Sequence, residues 1–141
     1  MEHLAILKRS WNLTQKILDG KKTIESRWYT TKKAPYDRIK TGDIVYFKET
    51  GGPVCIRAEV CGVKQFSDLN EEKVMRIYKD YPGIFPSDLE ESVKMNSKKR
   101  YCVLIFLKNP KSIKPFEIDK SGYGIMSAWI CINKIDDIKK K

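Results

Sequence analysis

Histidine is nearly absent from this chain, which has His3 alone, and its four cysteines form no C-x-x-C pair. Protein zinc sites draw on closely spaced cysteine and histidine ligands, so a zinc site of the usual spacing is excluded. The cysteines lie in apolar segments, where a free thiol behaves as a small buried hydrophobic group. Because His3 is close to a terminus, histidine-based catalysis is not expected either. The sequence therefore predicts no metal and no cofactor.

Long hydrophobic segments are also missing. No stretch approaches the roughly 20 apolar residues that a membrane span requires, and the N-terminal residues MEHLAILKRSW contain no signal-peptide cleavage site. We therefore expect a cytoplasmic protein without a membrane partner. A chain of 141 residues fits one domain, and we predict that domain over residues 1–135, followed by a basic tail at 136–141.

Acidic residues are few relative to basic ones. The chain has 28 Lys and Arg residues against 18 Asp and Glu residues, which gives a formal net charge of +10. Such an excess attracts polyanions, because neutralising phosphates releases their condensed counterions. Solubility alone is the other explanation of this charge. The composition favours a nucleic-acid partner.

Apolar alternation and turn residues predict about six short strands. A Gly-Gly-Pro turn at residues 51–53 predicts a hairpin between strands 44–48 and 54–63, and Gly62 indicates a bulge in the second strand. The remaining strand-forming segments are 3–7, 23–28, 101–107, 113–118 and 128–132.

Capping residues predict two or three helices. Ser10 is the expected N-cap of a helix over residues 11–19, and Asn70 of a second helix. Ser87 and Glu90 have capping-box spacing, which predicts a short third helix. Helices and short strands in one unit indicate an α+β fold, in which a closed or nearly closed barrel hides the strand edges.

One short segment brings together charged residues of both signs. On a strand over residues 23–28, Glu25 and Arg27 point to the same side, and Lys22 enters just before them. A carboxylate and a guanidinium two residues apart can form a bidentate platform for a ligand. An ordinary surface ion pair on a solvated strand is the alternative explanation of this pattern.

The same segment resembles the ASCH family. Gly20, Lys22, Glu25 and Arg27 match that family's Gly-x-Lys-x-x-Glu-x-Arg pattern, and a Gly42-Asp43 turn follows at a similar distance. The resemblance covers most of residues 3–69 and continues more weakly through residues 101–107 to the final strand around Trp129. It implies a small PUA-like β-barrel and a partner that is RNA or another single-stranded nucleic acid.

The resemblance implies that Lys22, Glu25 and Arg27 line a cleft near the barrel mouth. From their positions in the sequence, Lys8, Trp11, Lys48 and Trp129 are expected beside it. The lysines would contact phosphates, Arg27 a phosphate or a base edge, and Glu25 an exocyclic amine or Arg27. The two tryptophans would stack on an unpaired base, although for Trp11 core or lid packing is the stronger interpretation.

A small hydrolase acting on RNA or a modified nucleoside is the alternative function. Some ASCH proteins resemble amidohydrolases of acetylated cytidine that use a lysine, a threonine nucleophile and a glutamate. Lys22 matches the lysine, but Glu25 replaces the threonine, and the glutamate's position falls near apolar Ile77, with Glu71 and Glu72 close by. That mechanism is therefore not expected. Other members resemble metal-dependent ribonucleases, for which Lys22 and Glu25 offer only a lysine and acid couple.

A protein-interaction module of the transcription-coactivator type is a second alternative. It rests on apolar residues expected to be exposed at Tyr78–Phe85 and on the coactivators that carry ASCH domains.

Overall fold

The computed structural model describes residues 1–9, 12–124 and 127–140. Its six strands form one curled sheet, against which three α-helices pack. The strands are β1 Glu2–Leu7, β2 Ile24–Tyr29, β3 Ile44–Glu49, β4 Val54–Phe66, β5 Tyr101–Phe116 and β6 Trp129–Ile132. The helices are α1 Leu13–Leu18, α2 Glu71–Asp80 and α3 Leu89–Asn96, with 3-10 helices at Pro82–Ile84 and Ile135–Ile138. The predicted α+β fold is confirmed.

The strand order across the sheet is β2-β5-β4-β3-β1-β6. All neighbouring strands run antiparallel except β1 and β3, which are parallel. β2 and β6 are consequently the two edge strands, and the sheet curls into a half-barrel. Hydrogen bonds between strands do not close the barrel in the described part of the chain, so the seam between its two edges must be covered by side chains.

The predicted hairpin and bulge are both confirmed. β3 and β4 pair antiparallel across the Gly-Gly-Pro turn, and the β4–β5 register shifts between Val60 and Gly62. Along β4, Ile56, Ala58 and Val60 are buried and alternate with half-buried neighbours. This is the pattern of a strand with one face in the core.

The two strands predicted at residues 101–107 and 113–118 form one strand of 16 residues, β5. Pro110 lies inside this strand, although proline cannot donate to a sheet ladder. The structure accommodates it at an irregularity in the β4–β5 register, between the pairs Glu59–Lys108 and Arg57–Lys111, where Asn109 has a positive φ of 51°. A bulge is one of the few places where a strand tolerates proline.

The helices agree with the sequence in number but not in every boundary. Asn70 caps α2 as predicted, accepting from the backbone N–H of Lys73 at 2.9 Å. Helix α3 is capped by Asp88, which accepts from Glu91 N–H at 3.0 Å. The predicted Ser87 cap is wrong, because the helix begins one residue later and Asp88 holds the N-cap position. Helix α1 spans Leu13–Leu18, shorter than predicted. Ser10, its expected cap, lies outside the described residues.

The segment expected to be a basic tail packs onto the domain. Ile135 and Ile138 are 4% and 6% exposed, and they join an apolar cluster with residues of β1, β4 and β6. Three-residue spacing places the two isoleucines on the same side of a 3-10 helix. Lys139 then pairs with Ile118 in an isolated bridge. The expectation of a free tail from residue 136 is therefore not met for the described residues 136–140.

The interior of the half-barrel holds the largest apolar cluster. It includes Ala5, Val45, Phe47, Ile56 and Val103, each no more than 1% exposed, with α1 packed against it. A second cluster lies between β2, β5 and helices α2 and α3. β2 thus has core on both sides, which places its polar side chains under unusual constraint. Among the described residues, no helix is long and apolar enough to cross a membrane.

Candidate nucleic-acid interface

The polar residues of β2 alternate as predicted. Ile24 and Trp28 pack in the cluster against α2 and α3, so Glu25 and Arg27 face the interior of the half-barrel. Their register partners on β5 are Ile105 and Val103, both fully buried. A carboxylate and a guanidinium therefore project into an apolar interior.

Glu25 is the most constrained of these groups. It is 4% exposed, and its Oε2 atom is buried without a hydrogen-bond partner among the described residues. Its Oε1 atom lies 3.7 Å from Nε of Arg27, which is an ion-pair distance but longer than a good hydrogen bond. A buried polar atom that is left unpaired costs about 1–3 kcal/mol, and more when it is charged. Glu25 thus offers an acceptor that the protein itself does not use.

Arg27 spans the seam between the two sheet edges. Its Nη1 donates to the carbonyl of Ala128 and its Nη2 to the carbonyl of Ile6, each at 3.3 Å. Ile6 belongs to β1, and Ala128 directly precedes β6. One side chain of β2 therefore binds the backbone of both strands at the opposite edge of the sheet. Its guanidinium also lies over the Trp129 ring, 5.0 Å from the centroid, within the range of a cation–π contact. Arg27 therefore ties β2 to the opposite edge of the sheet.

Lys22 is buried just before β2, with 5% of its surface exposed. Its Nζ donates to the carbonyl of Ile84 at 2.6 Å. The turn that carries this carbonyl approaches β2 closely: Thr23 N–H donates to the carbonyl of Gly83 at 3.0 Å, and a Cβ at Gly83 would clash with the Thr23 hydroxyl. Burial lowers the pKa of Lys22, and the nearby charge of Glu25 opposes that shift.

Trp129 is held by a buried histidine. Its indole N–H donates to Nδ1 of His3 at 3.1 Å, and Nε2 of His3 lies 2.8 Å from Oδ2 of Asp43. His3 is completely buried, and desolvation lowers its pKa despite the opposing effect of Asp43. These contacts are not predictable from sequence patterns, because the partners of His3 lie 40 and 126 residues away along the chain. The one available signal was the alternation of β1. His3, Ala5 and Leu7 are two residues apart, which places all three on the interior face of the strand.

Of the other predicted site residues, Trp129 contacts this group through the guanidinium of Arg27. Lys8 is exposed beyond the end of β1. Lys48 follows Phe47, whose side chain is in the interior cluster, so the alternation of β3 directs Lys48 to the outer face. Trp129 is 7% exposed. Trp11 lies outside the described residues.

Two crystal structures share this arrangement of strands and helices over nearly the whole chain. The ASCH protein of Zymomonas mobilis aligns with a TM-score of 0.66 and 17% identity, over 94% of this chain and 88% of that one. A single-substitution variant of the same protein gives 0.67 and 16%, over 96% and 93%. This chain has the ASCH fold. A hypothetical protein of solved structure aligns at 0.53 and 24% identity, over 80% of this chain and 100% of that one.

The likeness to ASCH structures establishes the fold, and the chemistry must be argued from this chain's own residues. No protein-family model and no curated protein matches the sequence. Within the described part of the chain, no three His, Cys, Asp or Glu side chains are grouped so that they could hold a metal ion. The fold instead brings one carboxylate, Glu25, near two cations, Arg27 and Lys22.

Proposed function

We propose that this ASCH domain binds RNA as a single strand at the seam between β2 and β1/β6. The observation that carries this proposal is the buried Oε2 atom of Glu25, which has no donor among the described residues. Buried polar atoms in proteins nearly always have a partner, and an exception calls for an explanation such as a ligand. The exocyclic amine of a nucleobase is a donor of the required kind.

Arg27 controls access to Glu25 in this proposal. It spans the seam through two hydrogen bonds of 3.3 Å each, which are long and therefore weak. An incoming phosphate can accept both guanidinium N–H groups in a bidentate contact. Exchanging the two carbonyls for a phosphate would turn Arg27 outward and expose Glu25 to the base.

Trp129 supports Arg27 in this scheme, and it does not stack on a base. One face of its ring is covered by the guanidinium, and only 7% of the residue is exposed. Base stacking requires an accessible ring face. The expected stacking role of Trp129 is therefore replaced by that of a platform for the cation.

Salt dependence is the direct test of RNA binding. With three to five phosphate contacts, the logarithm of the association constant for single-stranded RNA should fall with log[salt] at a slope of about −2 to −3.5. Fluorescence anisotropy of a labelled oligonucleotide between 50 and about 300 mM salt measures this slope. No binding at the lowest salt, or a flat dependence, would contradict the proposal.

A hydrolase acting on a modified nucleoside is the second candidate, and the burial of Lys22 favours it. A lysine with a lowered pKa beside a carboxylate is a recurring feature of catalytic sites. The bond from Lys22 to the carbonyl of Ile84 also gives that amine a structural role. Binding without catalysis remains the preferred function, because no hydroxyl nucleophile stands in the place of Glu25.

The interaction-module alternative finds little support in the Tyr78–Phe85 segment. Phe85 is 39% exposed, but Tyr78 and Ile84 are 8% and 2% exposed. Exposed apolar side chains lie instead along a groove of about 1270 Å³ between α2 and α3, where Met75 is 55% and Leu89 56% exposed. Basic and acidic side chains alternate along this groove, so its charge favours no particular partner.

A further inference from the structure

A second cavity lies on the outer face of the sheet, away from the Glu25 seam. It has a volume of about 450 Å³ and is bordered by strands β1, β3, β4 and β5 and by the C-terminal 3-10 helix. The charged side chains around it are Glu2, Arg57, Lys114, Lys134, Asp136 and Lys139. We call this cavity the outer groove.

Both carboxylates of the outer groove are already engaged. Oε1 of Glu2 accepts from the backbone N–H of Ile135 at 2.7 Å. Oδ1 of Asp136 lies 2.8 Å from Nζ of Lys139. Neither acid neutralises the remaining cations, because within the described residues no carboxylate lies within 4.0 Å of the charged nitrogen atoms of Arg57, Lys114 or Lys134.

The strand register adds to this concentration of positive charge. Arg57 on β4 is the direct partner of Lys111 on β5. Like charges directly opposite each other destabilise a sheet. A bound anion would add to the relief that the carboxylate of Glu59 already gives both cations.

The floor of the outer groove is apolar. Tyr46 and Phe116 meet edge to face, with ring centroids 6.4 Å apart, and both are half-buried. Apolar walls reduce the local screening of the cations above them. The volume of the groove also lies within the range of small-ligand sites, and so suits a segment of about one nucleotide.

We infer that the outer groove holds the phosphodiester backbone of RNA through Arg57, Lys114 and Lys134. The identity of the ligand rests on the proposed function, because the RNA strand would contact both the seam and the outer groove. Backbone contacts of this kind are independent of base sequence and fix the register of the strand. The groove would therefore lengthen the binding site without adding base specificity.

Charge reversal of two exposed lysines tests this inference. In Lys114→Glu/Lys134→Glu, we expect the Kd for a single-stranded RNA longer than ~15 nucleotides to rise about tenfold. The salt slope should become less steep by about 1.4, since each lost phosphate contact on a single strand removes about 0.7. Arg57→Gln tests the half-buried cation separately, and the thermal midpoint checks that each variant folds. Lys79→Glu/Lys98→Glu, on the α2–α3 groove, makes the same change in net charge elsewhere.

The outcomes separate this inference from the proposed function. Loss of affinity in the outer-groove variants, but not in the Lys79/Lys98 control, supports the inference. An equal loss of RNA affinity in both double variants would mean that net charge alone decides binding, and this would overturn the inference. A loss of RNA affinity in Arg27→Lys, with no change in the outer-groove variants, would leave the seam as the RNA site and would also overturn the inference about the groove. Loss only in the outer-groove variants upholds the groove and contradicts the seam. Binding of poly-glutamate, but not RNA, at the groove would assign it to an acidic protein instead.

Discussion

The indole N–H of Trp129 donates to Nδ1 of His3, at 3.1 Å and completely inside the domain. Because Nδ1 accepts this bond, the hydrogen of neutral His3 must be on Nε2, where it is donated to Asp43 at 2.8 Å. The contacts continue to Arg27, which lies over the Trp129 ring. This chain of contacts connects the first residues of the protein to the seam.

Replacing His3 should destabilise the domain. In His3→Phe, the indole N–H of Trp129 loses its acceptor, and the carboxylate of Asp43 loses one hydrogen-bond donor. We expect the unfolding free energy to fall by about 2–4 kcal/mol. Urea denaturation measures this change. In a double-mutant cycle with Trp129→Phe, the two losses should not add, because each removes the same bond. Strict additivity would show that the bond contributes nothing.

The stability of the domain should also depend on His3 between pH 7.5 and 5. Desolvation holds the pKa of folded His3 below its usual 6.5, although Asp43 opposes the shift, and the N-terminal amine and Arg38 add to it. The unfolded chain therefore takes up a proton first, so the stability present above pH 6.5 is lost as the pH falls below it.

Urea denaturation at several pH values tests this dependence, with His3→Phe as the control. His3 is the only histidine in the chain, so the variant should lose most of the dependence in this range. The pKa of Asp43 is lowered from 3.8 by its bonds to His3 and Lys40 N–H, which outweigh desolvation, and its contribution is lost only at lower pH. Parallel curves for the two proteins would contradict the assignment.

Truncation of the barrel interior should separate stability from binding. Ile56 is 1% exposed and lies in the interior cluster, so Ile56→Ala should cost about 2–4 kcal/mol of stability. Met75→Ala, at a residue 55% exposed, should change stability by less than about 0.5 kcal/mol. Both folded variants should bind RNA as the wild type does. A weakened RNA affinity of Ile56→Ala under fully folded conditions would argue that the seam depends on the whole interior.

Purified protein should not release cytidine from acetylated cytidine above the background rate. Where the resembling amidohydrolases have a threonine nucleophile this chain has Glu25, and the amine of Lys22 donates to the carbonyl of Ile84. Chromatography of the products, with Lys22→Ala and Glu25→Gln alongside, tests this. Turnover that is lost in both variants would make the domain an enzyme with Glu25 as a general base.

Sequence patterns identified most of the elements, because the β4 alternation, the Gly-Gly-Pro turn and the Asn70 cap are local signals. They failed where tertiary context decides. The strands predicted at residues 101–107 and 113–118 are one, because a register irregularity accommodates Pro110 between them. Ile138 lies in the segment predicted to be a basic tail, yet together with Ile135 it completes an apolar cluster.

The candidate site was predictable only in part. The alternation of β2 placed Glu25 and Arg27 on one face, and that prediction is confirmed. It could not reveal that Arg27 binds Ile6 and Ala128, because the curl of the sheet brings these edges together. The depth of burial of Lys22 likewise depends on the turn at Gly83.

The most direct test of the account is the RNA affinity of Glu25→Gln, measured together with its stability. The substitution keeps the side-chain volume but removes the charge that faces Arg27 and the buried amine of Lys22. The unfolding free energy should therefore fall, by at most about 3–5 kcal/mol. The substitution also makes the protein more positive, which by itself should tighten RNA binding. The matched control Glu117→Gln makes the same charge change at an exposed residue. If Glu25 accepts a base amine, its variant should bind single-stranded RNA about tenfold more weakly, while the control binds as well as the wild type or better. Equal or tighter binding by Glu25→Gln would contradict the proposed function of the seam.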